Sequence, residues 1–228
     1  EYLSFRGIKK PAAGLMNLKK IREQFTALKT QRERTVMRSV IPLLIEGALR
    51  MESPDRALKG LESFFEVTGM RETYLTGMLE RKELREGIIK LFSLSTYLTR
   101  NLLSSTRYLD LLLEGNVIRK SLKKMREELD RSIQYTTPET GAAEYRNVEE
   151  IRLGSFFLMH VVKVNYLVRS LSHLAEAVIR MVCEKYRTGA GFAVLGMGKL
   201  GGREITFGSD LDIIFLSERP DDLKSVEK

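Results

Sequence analysis

The chain changes character in residues 191–216, which read GFAVLGMGKLGGREITFGSDLDIIFL. Two short apolar runs, Gly191–Gly196 and Asp210–Leu216, are separated by a glycine-rich segment. Short apolar runs bounded by turn residues are typical of strands. Seven of the 17 glycines lie between Gly189 and Gly208, so the backbone there tolerates tight turns. The stretch therefore predicts a strand, a glycine-rich turn leading into a short helix, and a second strand.

The residues before this segment predict one helix after another. Apolar residues recur with helical spacing, for example at Leu18, Ile21, Phe25 and Leu28. The sequence Ser53-Pro54-Asp55 predicts a helix start, because Ser can cap, Pro fits the first turn and Asp suits the positive end. That helix is expected to stop near Gly69. Short polar breaks between such segments favour an up-and-down helical bundle.

A cluster of polar residues, Pro and Gly at Tyr135–Gly141 predicts a boundary inside the chain. We expect a helical bundle over residues 1–135. Residues 142–228 are expected to form one long helix, roughly Val148–Tyr186, followed by an incomplete α/β core. The predicted strand at Asp210–Leu216 is apolar after its first residues, so it is expected to be buried with only its start exposed.

Composition excludes several classes of protein. A hydrophobic content of 43% with 30% charged residues is ordinary for a soluble globular chain, and no charge-free run of membrane-spanning length occurs. The net charge is +8, but basic residues such as Lys19, Lys20 and Arg22 have only Phe25 as an interleaved aromatic, so nucleic-acid binding is not expected. A single cysteine, Cys183, suits a reducing cytoplasmic location. Because the chain begins at Glu1, we expect a piece of a longer protein.

The two histidines and the cysteine are not expected to act as ligands or nucleophiles. His160 and His173 have no cysteine or carboxylate at metal-ligand spacing, so packing or surface roles are favoured. Cys183 lies within a helical pattern and is expected to be a small buried hydrophobe.

Asp210 and Asp212 are the first candidates for chemistry. They are two residues apart on a predicted strand, so their side chains are expected to share one face. Neighbouring carboxylates repel each other unless a cation lies between them, and Mg²⁺ is held by one or two carboxylates together with substrate phosphates. This pair beside a glycine-rich turn predicts a site for phosphoryl or nucleotidyl transfer. We expect both carboxylates to face the Gly196–Lys199 turn across an open cleft.

The turn supplies the candidates for phosphate binding. Its glycines let the backbone approach a ligand, Lys199 can pair with a phosphate or remain a surface lysine, and a hydroxyl precedes the carboxylates. The turn has neither the GxxxxGK[ST] nor the GxGxxG spacing, so it is not a known nucleotide loop of those kinds. The predicted phosphate-binding residues are Gly196, Gly198, Lys199, Gly208 and Ser209.

The run from Gly196 to Phe215 resembles the motif of the glutamine synthetase adenylyltransferase family, within the polymerase-β-like nucleotidyltransferases. Met197 stands where that superfamily usually has Gly or Ser, a departure that the family shares. Upstream, Pro54-Asp55 with Ala57-Leu58 resembles the helical region between the family's two catalytic halves, and Leu91–Ser95 and Tyr108–Leu112 are similar to the stretch that follows it. Tyr145–Asn147 resembles the basic helix that leads into the family's catalytic strand. The implied fold class is mainly α, a helical bundle followed by the first α/β elements of a truncated nucleotidyltransferase fold.

The resemblance implies an enzyme that moves AMP from ATP to a tyrosine of glutamine synthetase and so regulates nitrogen assimilation. A sister half removes AMP by phosphorolysis, and the signalling protein PII is a further partner. Asp210 and Asp212 would hold Mg²⁺. The order of segments, with Gly208-Ser209, is more similar to the entry of the adenylylating half than to the first half.

Other functions remain open at this stage. One alternative is a different nucleotidyltransferase, such as a uridylyltransferase, and another is a helical regulatory platform for glutamine synthetase or PII. The superfamily uses a third carboxylate on a later strand. After Asp212 the chain offers only Glu218, Asp221, Asp222 and Glu227, so the fragment alone is expected to be inactive.

Overall fold

The computed structural model describes residues 1–26, 30–114, 119–185 and 191–218. Within these ranges the chain is mainly α, as predicted, and its two strands form one small sheet. None of the described helices is long and apolar enough to cross a membrane. The helices are α1 (Tyr2–Phe5), α2 (Pro11–Thr26), α3 (Gln31–Leu49), α4 (Pro54–Thr68), α5 (Glu72–Glu80), α6 (Lys82–Leu94), α7 (Thr96–Leu103), α8 (Thr106–Glu114), α9 (Leu122–Ser132), α10 (Pro138–Leu158), α11 (Val164–Lys185) and α12 (Gly198–Gly201), and the strands are β1 (Phe192–Gly196) and β2 (Ile213–Ser217).

The chain divides into two compact units. The first comprises Glu1–Val117 with Gly154–Val161, and the second comprises Ile118–Leu153 with Val162–Lys228. Helix α10 therefore contributes residues to both units. The expected domains, a helical bundle over 1–135 and a long helix with an incomplete core over 142–228, stay a prediction.

The first unit is organised around an aromatic core between α4 and α6. The Phe64 ring meets Phe65 edge-on at 5.6 Å between centroids and lies 6.3 Å from the Phe92 ring. Helix α4 begins at Pro54 and stops at Gly69, whose φ of +56° is left-handed, as the sequence predicts. Ser53 occupies the cap position, but its hydroxyl accepts a hydrogen bond from Arg56 Nε at 2.9 Å instead of capping the helix.

The second unit has a helical core formed by α9, α10 and α11. The buried residues that meet there are Met125, Leu129, Ala142, Tyr145, Leu174, Ala177 and Met181. The break between α9 and α10 is shorter than the predicted Tyr135–Gly141 segment, because α10 begins at Pro138. Proline is tolerated there because the first turn of a helix does not use its own N–H groups. This helical core is the support for the sheet and the glycine turn.

The predicted single helix over Val148–Tyr186 is wrong. Helix α10 ends at Leu158 and α11 begins at Val164; Tyr186 itself lies outside the described residues. The end of α10 is a Schellman motif, in which Val161 N donates to Phe156 O at 2.8 Å and His160 N donates to Phe157 O at 3.0 Å. His160 takes the left-handed position, with a φ of +59°. Apolar spacing continues through the break, so periodicity alone does not detect it.

Candidate functional site

The two strands run antiparallel, and in the sequence one precedes the glycine turn and the other follows it. The register pairs Phe192 with Ser217, Val194 with Phe215 and Gly196 with Ile213. Paired residues in such a ladder share a face, so the Phe192 and Phe215 rings stack, with 5.8 Å between centroids. The other face of the sheet carries Leu195, Ile214 and Leu216.

That second face is exposed, which contradicts the expectation that the second strand is buried. The exposed fraction of Ile214 is 45% and that of Leu216 is 48%. Residues of β2 alternate between half-buried and exposed because only one face of the described sheet lies toward α11. An apolar run such as Ile213–Leu216 favours a strand that is buried on both faces, whereas the described fold covers only one face of β2.

The glycines of the turn are required by close backbone approach. A Cβ atom added to Gly201 would lie 2.5 Å from the Gly196 carbonyl oxygen, and one added to Gly196 would lie 3.0 Å from Leu200 Cγ. The turn from β1 into α12 therefore excludes a side chain at Gly201, where backbone would be struck, whereas at Gly196 the Leu200 side chain would have to shift. Gly201 N donates to Met197 O at 2.9 Å, which closes the turn.

Asp212 lies directly against this turn. Its Oδ2 atom would be 2.5 Å from a Cβ atom added to Gly198, and Gly198 has a left-handed φ of +50°. The backbone fixes this approach, because Met197 N donates to the Asp212 carbonyl at 2.7 Å. The structure therefore brings Asp212 and Gly198 together, and it leaves the Asp212 side chain exposed.

Asp210 and Asp212 precede β2, which corrects their predicted place on a strand. The strand begins at Ile213 because β1 ends at Gly196 and then turns into α12, so earlier residues have no facing strand. Asp210 is exposed as well. Exposed carboxylates are ligands of the type that Mg²⁺ takes, and at Asp212 the absence of a side chain on Gly198 leaves room for phosphate oxygens beside the carboxylate.

The remaining predicted residues lie around the same segment. Lys199 is exposed in α12, and Gly208 has a left-handed φ of +69°. Ser209 forms a local turn, in which its hydroxyl accepts from Thr206 N at 3.1 Å and lies 2.8 Å from Thr206 Oγ1. The Ser209 hydroxyl is thus held by its own loop, at the entry to the carboxylate pair.

Ser172 on α11 is a positioning residue that sequence reasoning missed. Its hydroxyl accepts from Ile205 N at 3.3 Å and donates to Val168 O at 2.8 Å, and Ile205 is itself buried. This contact fixes the loop after the turn to the helical core. Ser170 and Ser172 are both buried on α11, and the sequence does not show which of them has a partner in the loop.

The sequence profile of the family described as "Glutamate-ammonia ligase adenylyltransferase" matches residues 85–228. A bifunctional glutamine synthetase adenylyltransferase/adenylyl-removing enzyme of Xanthomonas campestris is 28% identical over 84% of this chain and 22% of its own length. Proteins of the same description from Xanthomonas axonopodis and Idiomarina loihiensis are 30% identical over 79% and 25% identical over 96% of this chain.

The chain spans between a fifth and about a quarter of the length of these relatives. The family profile covers well over half of the chain, including both carboxylates, the whole glycine turn and the helices from within α6 onward. The chain therefore belongs to the glutamate-ammonia ligase adenylyltransferase family.

Proposed function

We propose that this chain carries the metal- and triphosphate-binding part of an adenylyl transfer site whose protein substrate is glutamine synthetase. The observation that carries the proposal is the contact between Asp212 and Gly198. It sets a carboxylate against a backbone segment that has no side chain, where a cation and a phosphate can meet. Family membership supports adenylyl transfer over uridylyl transfer.

In the proposed reaction, a tyrosine hydroxyl of glutamine synthetase forms a bond to the α-phosphorus of ATP. The bond to the bridging oxygen breaks, pyrophosphate leaves and the hydroxyl proton passes to a base. Bound Mg²⁺ would neutralise charge on the triphosphate. Asp210 and Asp212 would hold the ion, Gly198 leaves room for the phosphates, and Lys199 would pair with a phosphate oxygen.

The finer assignments are proposals as well. We assign the site to the adenylylating half, and the removal of AMP by phosphorolysis to a sister site. PII is the proposed signalling partner. A helical platform that binds glutamine synthetase or PII without nucleotide chemistry is the competing function, and nucleotide binding separates the two.

Calorimetric titration of the chain with ATP, with and without Mg²⁺, tests the proposal. We expect Mg²⁺-dependent binding that is weakened roughly tenfold or more by Asp212→Asn, because the amide keeps the size of the side chain and removes its charge. The matched control is Glu204→Gln, which removes an exposed carboxylate from the same segment but leaves the pair intact. ATP binding that does not depend on Mg²⁺, or that weakens equally in the two variants, contradicts the proposal.

A further inference from the structure

A cavity of about 510 Å³ lies inside the second unit, between α11 and the inner face of the sheet. Its volume is within the range of small-molecule sites. Val194 and Gly196 line it, whereas Leu195 and Met197 alternate to the other face. Neither Asp210 nor Asp212 is among the residues that line it, so the cavity is distinct from the pair of carboxylates.

Most of the cavity wall is apolar. Ile179 contributes from α11, Phe192 and Val194 contribute from β1, and Leu200 contributes from α12. The Phe192 ring is held in place by its stack on Phe215. A wall of this kind favours an aliphatic or aromatic body, because such a ligand removes apolar surface from water without leaving polar groups unpaired.

Three charged residues line the cavity, and two of them are arginines. Arg180 is paired with Glu176 at 2.6 Å, so these two charges compensate each other. Arg203 also lines the cavity, and no carboxylate in the described ranges forms an ion pair with it. Of the charged residues in the wall, Glu176, Arg180 and Arg203, the last remains uncompensated. A single anionic group on a ligand would balance it.

Arg203 is an exposed residue that follows Gly202, the C-cap of α12. Its φ of +56° is left-handed, a conformation that costs conformational free energy in any residue other than glycine. Glycines occupy the two preceding positions, yet the left-handed position carries an arginine. Arg203 N donates to Leu200 O at 3.1 Å and Glu204 N donates to Lys199 O at 2.7 Å, so Arg203 takes the left-handed position of a Schellman motif, as His160 does after α10. The end of α12 thus places Arg203 in the cavity wall.

His173 responds to the same charge. Burial lowers the pKa of His173; Glu176 raises it, and the positive charges of Arg203 and Arg169 lower it further. A ligand that neutralises Arg203 would remove one of the two positive charges that lower the pKa of His173. His173 is thus a natural reporter of the occupancy of the cavity.

We propose that this cavity binds a small amphipathic carboxylate, with its carboxylate on Arg203 and its apolar body against Phe192, Val194 and Leu200. The site is separate from the proposed nucleotide site and its occupancy requires no nucleotide. Gly196 and Gly201 belong to both the cavity wall and the turn, so the bound carboxylate would contact the same backbone that supports Gly198.

Octanoate is the probe for the first experiment, and octanamide is its neutral counterpart. Proton NMR resolves the chain's two histidines, His160 and His173. We expect saturable binding of octanoate with a rise in the pKa of His173 and no change at His160, which lies in the other unit. Octanamide is expected to bind at least several-fold more weakly and to leave the pKa of His173 unchanged. Absence of saturable octanoate binding at millimolar concentration overturns the proposal.

Substitutions at two arginines locate the carboxylate of the ligand. Arg203→Gln is expected to lower octanoate affinity about tenfold, as for the loss of a charged hydrogen bond, whereas Arg203→Lys retains part of the affinity. Arg169→Gln is the matched control, because it also removes a positive charge near His173 but does not line the cavity. Circular dichroism verifies that each variant is folded. Equal octanoate affinity in the Arg203→Gln and wild-type chains, or equal losses in the Arg203→Gln and Arg169→Gln chains, overturns the proposal.

Discussion

Gly198 has two separate reasons to be a glycine. Its φ of +50° disfavours any side chain, and a Cβ atom would lie 2.5 Å from Asp212 Oδ2. The first reason concerns stability, and the second concerns the position of a proposed metal ligand. Gly208 shares only the first reason, because its φ is +69° and nothing lies within 4 Å of an added Cβ atom. Alanine substitutions at the two glycines therefore separate the effect of backbone strain from the effect of displacing the Asp212 carboxylate.

We predict that Gly198→Ala and Gly208→Ala each destabilise the chain by about 1–2 kcal/mol through left-handed strain. Only Gly198→Ala is expected to abolish Mg²⁺-dependent ATP binding, because its methyl group displaces the Asp212 carboxylate. Urea unfolding measures the first effect and calorimetry measures the second. Unchanged ATP affinity in Gly198→Ala would show that the position of the Asp212 carboxylate does not matter for binding.

Glu149 is the most completely buried carboxylate of the second unit's charged cluster. It accepts from Lys120 Nζ and Arg152 Nη2, both at 2.6 Å, and its side chain has no exposed surface. Lys120 also contacts Glu128, which accepts from the Tyr145 hydroxyl. Burial, together with the charges of Glu149 and Glu128, raises the pKa of Tyr145, so it remains neutral. The cluster ties the start of α9 to α10.

We predict that Glu149→Ala costs about 3–5 kcal/mol of unfolding free energy, because it leaves two largely buried cations without their shared anion. The matched control is Glu176→Ala, which breaks a more exposed ion pair within α11 and is expected to cost less than about 1 kcal/mol. Denaturant unfolding followed by circular dichroism measures both. Similar losses in the two variants would mean that the buried cluster contributes no more than an exposed pair.

At the scale of elements, periodicity identified the helices but not the break between α10 and α11. The break depends on contacts distant in sequence. Met159 packs on Gly87, where an added Cβ atom would overlap the Met159 side chain, and Lys90 Nζ lies 2.7 Å from His160 Nε2. Such tertiary contacts, all within the first unit, override a continuous helical pattern.

The candidate site was predictable for a different reason. Glycine spacing and Asp-x-Asp are local features, and the turn and Asp212 lie within one short segment of the chain, so the sequence predicts the approach of Asp212 to Gly198. The burial of β2 was not predictable, because it depends on how many faces of the sheet are covered. The same apolar run, Ile213–Leu216, suits a strand covered on one face or on two.

The contact between α4 and α6 depends on Gly60. A Cβ atom at this position would lie 2.5 Å from both Cβ and Cγ of Phe92, in the aromatic core. Alanine is about 1 kcal/mol better than glycine within a helix, whereas overpacking of a core costs about 1–3 kcal/mol. The atoms that must move belong to the rigid base of the phenylalanine side chain, so we expect the cost of overpacking to exceed the gain.

We predict that Gly60→Ala destabilises the chain by about 1–2 kcal/mol in denaturant unfolding. Combining it with Phe92→Leu tests the mechanism, because a smaller, more adaptable side chain relieves the overlap. The double variant is expected to lose less than the sum of the single variants. Strict additivity would place the cost of Gly60→Ala elsewhere than at Phe92.

At the scale of the whole molecule, the proposed transfer site has an incomplete set of carboxylates. No group of three metal-ligating side chains occurs in the part of the chain that the structure describes. Glu218 is exposed after the end of β2, close to Gly191 at the far end of the sheet from the turn. Asp221, Asp222 and Glu227 lie outside the described residues. In the proposed site, Asp210 and Asp212 would hold a cation together with ATP, and no third carboxylate of the described residues is grouped with them.

We predict that the 228-residue chain binds Mg²⁺ and ATP but does not transfer AMP. Positioning of the nucleophile and of a second metal ion contributes much of the rate in such sites, so two carboxylates alone are insufficient. The measurement is incubation of the chain with ATP labelled at the α-phosphate, Mg²⁺ and unmodified glutamine synthetase, with the full-length Xanthomonas campestris relative as the positive control. Label transferred at a rate near that of the relative would mean that a third carboxylate is unnecessary or is supplied from within these 228 residues.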